Sequence, residues 1–169
     1  ADEFSETGNW PEQLYIREAR RMHGMATITE HMCTSHHPVD DPIAMGAYQL
    51  DSHNCRRIVI DGKVKNEGDI QVQLPRPYGI PLGAIVPRVG AVTNLVVPVA
   101  VSASHIAFGS VRMEPVFMEL AEAAAVLTTC SLETGRPVQE IRYADVRERL
   151  VARGQVLEPD QVNDFTRQN

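Results

Sequence analysis

The chain has 169 residues, 43% of them hydrophobic, and a formal net charge of −6. This length suits one domain with a substantial core, and an acidic chain without a lysine or arginine cluster is not expected to bind nucleic acid. No uninterrupted apolar run approaches the length of a membrane span, and the first ten residues lack the pattern of a secretion signal. Three cysteines without a close pair argue against a disulfide framework.

The first third of the chain is predicted to be rich in β-structure. Residues 1–13 are expected to form a flexible lead-in, and residues 14–29 alternate well enough for a strand or a hairpin that turns near Gly24. Residues 30–42 have the composition of a loop, which contains four side chains of the types that bind zinc: His31, Cys33, His36 and His37. Their spacing matches no standard zinc site, so we do not expect a metal there.

Polar side chains follow the short apolar element that begins at residue 43. Asp51, Ser52, His53 and Asn54 stand together at its end. They are consistent with an Asx-type turn, in which a side chain bonds the local backbone. They are equally consistent with a histidine held by a carboxylate in a cleft, which suits proton transfer near neutral pH. The sequence leaves both interpretations open.

The next segment predicts a β-hairpin over residues 56–73. Asp61 and Gly62 follow the run RRIVI, and Asp-Gly between alternating segments is a strong signal for a tight hairpin turn. A loop is predicted at residues 66–69, before the run IQVQL. Residues 74–87 are rich in proline and glycine and are predicted to be an extended connector. This connector is a candidate seam between a β-rich layer and an α/β layer.

The central unit of the chain is predicted to be a strand, a polar loop and a helix. Residues 95–101 are apolar and β-branched, as in a strand buried on both faces, and residues 102–105 form a polar turn. Helix formers run from Glu114 to about Glu133, before a Gly135 cap. We therefore predict an α/β fold with a ligand crevice at the helix start, where unpaired amides attract negative charge.

Arg112 and His105 are the candidate functional side chains of this unit. Arg112 either adds a fixed positive charge near the start of the helix or forms a salt bridge with Glu114 or another acid. His105 is either a buried structural histidine or a ligand contact. Further on, residues 138–141 are predicted to be extended, and residues 143–153 form an amphipathic helix with Val146 and Leu150 turned inward.

Six short segments, taken together, resemble a known family. They are YIREARR (15–21), DSH (51–53), YGIP (78–81), NLVVP (94–98), SASH (102–105) and GSVRMEP (109–115). In this order they are similar to the carboxy-terminal portion of the FAD-dependent oxidoreductases often labelled xanthan-lyase-like. The resemblance extends from about Leu14 to Leu157.

The resemblance implies a flavoprotein of the glutathione-reductase-like type. Residues 14–86 would form a β-rich layer on the substrate side, residues 87–157 the carboxy-terminal part of the FAD-binding domain, and residues 158–169 a tail. A piece of this kind that folds alone would be α+β. The positions that it implies beside the flavin are Ser102, Ser104, His105, Gly109, Ser110, Arg112 and Met113.

The same resemblance implies a flavin-mediated hydride transfer from a small, hydroxylated, carbohydrate-like substrate. His53 and His105 are the candidates for the residue that takes the proton. The family usually has Gly-Gln where this chain has Ala121 and Glu122, a difference that bears on how closely a cofactor can approach the helix.

No G-x-G-x-x-G loop follows a predicted strand, although such a loop would hold the FAD pyrophosphate. We therefore expect the amino-terminal half of the same flavoprotein, or a complementary chain, as a partner, and an oligomer is compatible with this. Two alternatives come from other classes. One is a non-catalytic domain that binds a partner and lacks a cofactor on its own; the other is a metal-dependent hydrolase that uses residues 31–37.

Overall fold

The structure is a computed structural model that describes residues 4–10 and 20–161. Residues 14–19 of the predicted strand or hairpin over 14–29, part of the lead-in and the end of the tail lie outside the described residues. The described remainder of that prediction, residues 20–29, forms isolated bridges at Gly24 and Ile28 but no strand. The described part contains six strands and four α-helices. The strands are Pro42–Gly46 (β1), Leu50–Ser52 (β2), Arg56–Ile60 (β3), Lys63–Glu67 (β4), Ile70–Val72 (β5) and Tyr78–Pro81 (β6). The helices are Glu30–Cys33 (α1), His105–Val111 (α2), Glu114–Thr134 (α3) and Tyr143–Ala152 (α4).

The strands pair in three small antiparallel sheets, β1 with β6, β2 with β5 and β3 with β4. Helices combined with small antiparallel sheets make a mixed fold that is compatible with the α+β class. The described strands do not form the parallel sheet that the α/β prediction required. Over residues 4–10 and 20–161, the one parallel contact is an isolated bridge between Ile28 and Ala103.

The predicted hairpin turn at Asp61 and Gly62 is confirmed, whereas the loop predicted at residues 66–69 is wrong in part because β4 extends to Glu67. β3 and β4 pair in register, with Val59 opposite Val64, and Asp61 and Gly62 form the turn with φ of 53° and 72°. Positive φ at both central residues is the conformation that favours Asp-Gly in tight hairpins. β5, predicted as a continuation of the hairpin, pairs with β2 instead, so that Asp51 lies within a strand, opposite Gln71.

The proline-rich stretch 74–87 was wrongly predicted to be an extended connector. It contains β6, which pairs with β1, and a 3₁₀ turn over Leu82–Ala84. Ile80 and Ile85 are fully buried, so this stretch belongs to the core. Its prolines are compatible with β-structure because β6 is an edge strand, with β1 as its one neighbour in the sheet. Proline is tolerated on an edge strand.

The predicted strand over residues 95–101 is wrong. This segment is irregular, and Leu95 and Val99 are 45% and 54% exposed. Its Val97 amide donates to the Ile85 carbonyl at 2.9 Å, but the described chain offers no strand that pairs along its length. An apolar, β-branched run can form a strand only where another strand satisfies its backbone groups.

The helices follow the sequence prediction more closely. α3 begins at Glu114, carries a proline in its first turn and ends before Gly135, which is left-handed at φ 65°. Both residues predicted to point inward from α4, Val146 and Leu150, are fully buried. The predicted turn after residue 102 instead leads into the short helix α2, and the predicted extended piece at 138–141 is a 3₁₀ turn, Val138–Glu140.

The core lies between β1, β6, α2, α3 and α4. α3 packs against β1 and α4, and it buries Leu120 and Leu127 completely. By length and composition alone α3 could also cross a membrane, a weak criterion that core helices of soluble proteins meet as well.

α2 packs directly on β2, and Gly109 makes this approach possible. A Cβ atom placed on Gly109 would lie 3.0 Å from the carbonyl carbon of Asp51 and still closer to its oxygen. Because the obstacle is backbone, it cannot move aside as a flexible side chain could. Glycine is therefore required here for the helix to contact the strand.

We expect Leu127→Ala to lower the free energy of unfolding by about 2–5 kcal/mol, because it leaves a cavity at a fully buried position. The matched control is Leu132→Ala on the same helix, where the leucine is 79% exposed and a change within about 0.5 kcal/mol is expected. Urea denaturation of both variants measures the difference. Equal losses would contradict the packing of α3.

We expect Gly109→Ala to destabilise the chain by about 1–3 kcal/mol, because the added methyl group separates α2 from β2. Helix propensity alone predicts the opposite sign, a gain of about 1 kcal/mol. The sign of the change in a denaturation experiment therefore decides whether the contact exists. A stabilised variant would rule the contact out.

Candidate functional site

A cavity of about 140 Å³ lies between β2 and α2. The residues that line it are Asp51, Ser52, His53, His105, Phe108, Gly109 and Arg112. Three of them come from the end of β2 and the residue after it, and four from α2 and its carboxy-terminal end. A larger cavity of about 420 Å³ between α3 and α4 has mainly apolar walls and contains no histidine. The β2–α2 cavity is therefore the better candidate for proton chemistry.

The charged wall of the cavity is an ion pair between Arg112 and Asp51. Arg112 Nη2 donates to Asp51 Oδ2 at 2.6 Å, and the two side chains are 13% and 11% exposed. A short, nearly buried pair of this kind is a strong charge-assisted hydrogen bond. Of the two interpretations of Arg112, the salt bridge is thus confirmed, with Asp51 rather than Glu114 as its partner.

Two histidines stand at the cavity beside this pair. His105 is the first residue of α2, and its Nε2 lies 3.0 Å from the Ser52 hydroxyl oxygen. The Nε2 atom of His53 lies 3.9 Å from Asp51 Oδ2, and its side chain is 60% exposed. Of the two interpretations left open for residues 51–54, the structure favours a histidine close to a carboxylate at a cleft. The fold thus brings both predicted catalytic histidines to one cavity.

The three predicted serines use their hydroxyl groups within the chain. Ser102 lies 3.1 Å from the Thr27 hydroxyl, and Ser104 caps α2 by accepting from the Ala107 amide at 3.2 Å. Ser110 is buried, accepts from the Tyr78 hydroxyl at 2.8 Å and donates to the Tyr48 carbonyl. These bonds fix the amino-terminal end of α2 and its contact with β6.

Burial also raises the pKa values of two neighbouring side chains, Tyr78 and Cys33. It raises the pKa of Tyr78 well above its usual value, so this hydroxyl stays protonated and remains a donor to Ser110. Burial likewise raises the pKa of the neighbouring Cys33 thiol to about 11. Cys33 is therefore a neutral core side chain near pH 7 and not a nucleophile.

The other predicted flavin neighbours have clear positions. Gly109 contacts the Asp51 backbone, and Met113 lies between α2 and α3, partly buried against the core. Met113 immediately precedes the first turn of α3, which contains the acidic Glu114. The role of these residues beside a flavin stays a prediction.

Sequence reasoning missed several members of the site. It did not include Asp51 and Ser52 among the site residues, although both were in a segment it had singled out. Phe108 was missed because α2 was predicted to be a turn. Arg21 does not line the cavity, but its guanidinium carbon lies 5.6 Å from the centre of the Phe108 ring. No local periodicity points to Phe108, because the buried residues of α2 are successive, from Ala107 to Val111.

The histidines of the 31–37 segment lie close to one another. His31 is 6.2 Å from His36 and 5.4 Å from His37, measured between ring centres. Within the described ranges, no group of three or more histidine, cysteine, aspartate or glutamate side chains could hold a metal ion. The structure therefore gives the hydrolase alternative no support.

Comparison with known proteins identifies the family. A family model described as FAD dependent oxidoreductase matches residues 1–150 of this chain. No curated protein and no solved structure matches it. The family match covers 150 of the 169 residues and includes the whole β2–α2 cavity. The chain therefore belongs to the FAD-dependent oxidoreductase family.

Proposed function

We propose that this chain is the carboxy-terminal part of a flavoenzyme of the xanthan-lyase-like, glutathione-reductase-like type that oxidises a small, hydroxylated, carbohydrate-like substrate. The observation that carries the proposal is the convergence of two histidines and a buried ion pair on one cavity between β2 and α2. The family match supports flavin-linked redox chemistry. The cavity supports a substrate group that loses a proton.

The residues present fit one part of FAD. Arg112 and Met113 lie just ahead of α3, whose first amides favour the electron-rich edge of a flavin ring. A cavity of about 140 Å³ suits a small group, not a dinucleotide. The sequence contains no glycine-rich loop for the pyrophosphate. The remainder of the cofactor site must therefore come from another part of the flavoprotein or from a second chain.

Oxidation of an alcohol removes a hydride from carbon and a proton from oxygen. FAD, when bound, supplies the acceptor for the two electrons. Among the residues that line the cavity, His105 and His53 carry imidazole side chains, the type suited to take that proton. The Ser52 hydroxyl can donate to Nε2 of a neutral His105 ring or accept from a protonated one, so this contact holds the ring through either state.

Exposed apolar side chains support a partner surface. Leu95 and Val99 are about half exposed, in the segment whose sequence favours a buried strand. Met118 and Leu132 are 72% and 79% exposed on the outer face of α3. We propose that the amino-terminal, nucleotide-binding half of the flavoprotein, or a complementary chain, covers these side chains and supplies the pyrophosphate loop.

The first experiment is purification of the chain with its natural upstream sequence. We expect a yellow protein that releases FAD on denaturation, whereas the 169-residue chain alone binds FAD weakly or not at all because it lacks the pyrophosphate loop. Absorption spectra of the native and denatured proteins measure this. A correctly folded longer protein without flavin would overturn the proposal.

In the flavin-loaded protein we expect His105→Gln or His53→Gln to slow substrate-dependent flavin reduction by about 10²-fold or more, the usual contribution of a positioned base. Stopped-flow measurement over a range of pH separates loss of a base from loss of substrate binding. His23→Gln is the matched control, because His23 is exposed and does not line the cavity.

If both histidine variants keep the rate and the pH profile of the parent protein, neither side chain is the base. Retention of activity in Arg112→Gln as well would favour the alternative of a non-catalytic, partner-binding domain.

A further inference from the structure

The charged groups of the β2–α2 cavity cancel each other. Arg112 and Asp51 face the cavity together, and their Nη2 and Oδ2 atoms are 2.6 Å apart. Each side chain is nearly buried, so water screens the pair poorly and the charges act mainly on one another. The pair therefore presents a dipole to the cavity and no net charge.

The other titratable groups around the cavity do not remove this balance. His53 and His105 also line it, and an imidazole is not a fixed charge of the kind that Arg112 and Asp51 carry. Arg21 packs against the Phe108 ring and is not among the residues that line the cavity. The net charge at the cavity therefore depends on whether the Asp51 carboxylate is present beside Arg112.

We propose that Asp51 is a specificity-determining residue that restricts this cavity to uncharged, hydroxylated groups. This inference rests on the proposed function, because the hydroxylated group that would enter the cavity is part of the substrate of the proposed oxidoreductase. A carboxylate that approached Arg112 would meet the Asp51 carboxylate, already bound to the same guanidinium. An ammonium or guanidinium group would meet Arg112 in the same way. A hydroxyl group can donate and accept, and it meets neither repulsion.

Small ions test this assignment directly in the 169-residue chain without flavin, so the result does not depend on cofactor binding or turnover. The probes are acetate and methylguanidinium, followed by NMR signals of the side chains that line the cavity. Wild-type chain is expected to show saturable binding of neither. Asp51→Asn is expected to bind acetate at least about tenfold more tightly than wild type, because Arg112 is then uncompensated.

Arg112→Gln is the converse variant, and we expect it to bind methylguanidinium at least about tenfold more tightly than wild type, because Asp51 is then uncompensated. The control is the double variant Asp51→Asn, Arg112→Gln, which replaces the pair with neutral amides and should gain neither probe. Circular dichroism establishes that each variant is folded before it is titrated.

Wild-type chain that binds acetate as tightly as Asp51→Asn would overturn the assignment, as would a folded single variant without the expected gain. Should one single variant unfold, the other decides. Should both unfold, the acetate titration of the wild-type chain decides. Saturable acetate binding at the cavity contradicts the assignment, and a lack of such binding supports it. Failure of the proposed oxidoreductase function would appear separately, as a longer protein without flavin.

Discussion

The contact between α2 and β2 is the interaction on which the candidate site depends. Gly109 lets the helix approach the backbone of Asp51, and that approach is what brings Arg112 within 2.6 Å of the Asp51 carboxylate. The same approach sets His105 against Ser52, one residue further along the strand. A strand of three residues could not hold these side chains on its own. Pairing with β5 on one side and packing under α2 on the other fix it.

The parts of the fold that the sequence predicts well are those determined by near neighbours in the chain. The β3–β4 hairpin follows from Asp61 and Gly62 between alternating runs, and α3 follows from its proline start and its Gly135 cap. α4 follows from the spacing of its buried residues. Each of these signals lies within a few residues of the structure that it specifies, so it does not depend on how the rest of the chain folds.

The parts that the sequence predicts poorly depend on distant segments. Residues 95–101 have the composition of a buried strand, but a strand exists only where another one pairs with it. The proline-rich stretch 74–87 has the composition of a loop, yet β6 within it is buried because β1, more than thirty residues earlier, pairs with it. The acidic partner of Arg112 could not be identified from the sequence for the same reason. Asp51 precedes it by 61 residues, and several other acids were equally eligible from sequence alone.

The exposed apolar segment and the neutral cavity together indicate how the chemistry is divided along this flavoprotein. In the proposed flavoprotein, the two candidate histidines lie on the described chain, around a cavity of about 140 Å³. Leu95 and Val99 are about half exposed in the segment that leads to the amino-terminal end of α2, where the proposed flavin neighbours begin. The proposed association with a cofactor-binding partner would cover these exposed apolar side chains without disturbing the cavity. On this view the ion pair between Asp51 and Arg112 has a second consequence. Because it satisfies the arginine internally, the cavity is stable before the cofactor half is in place, and the charge of Arg112 does not need a flavin to compensate it.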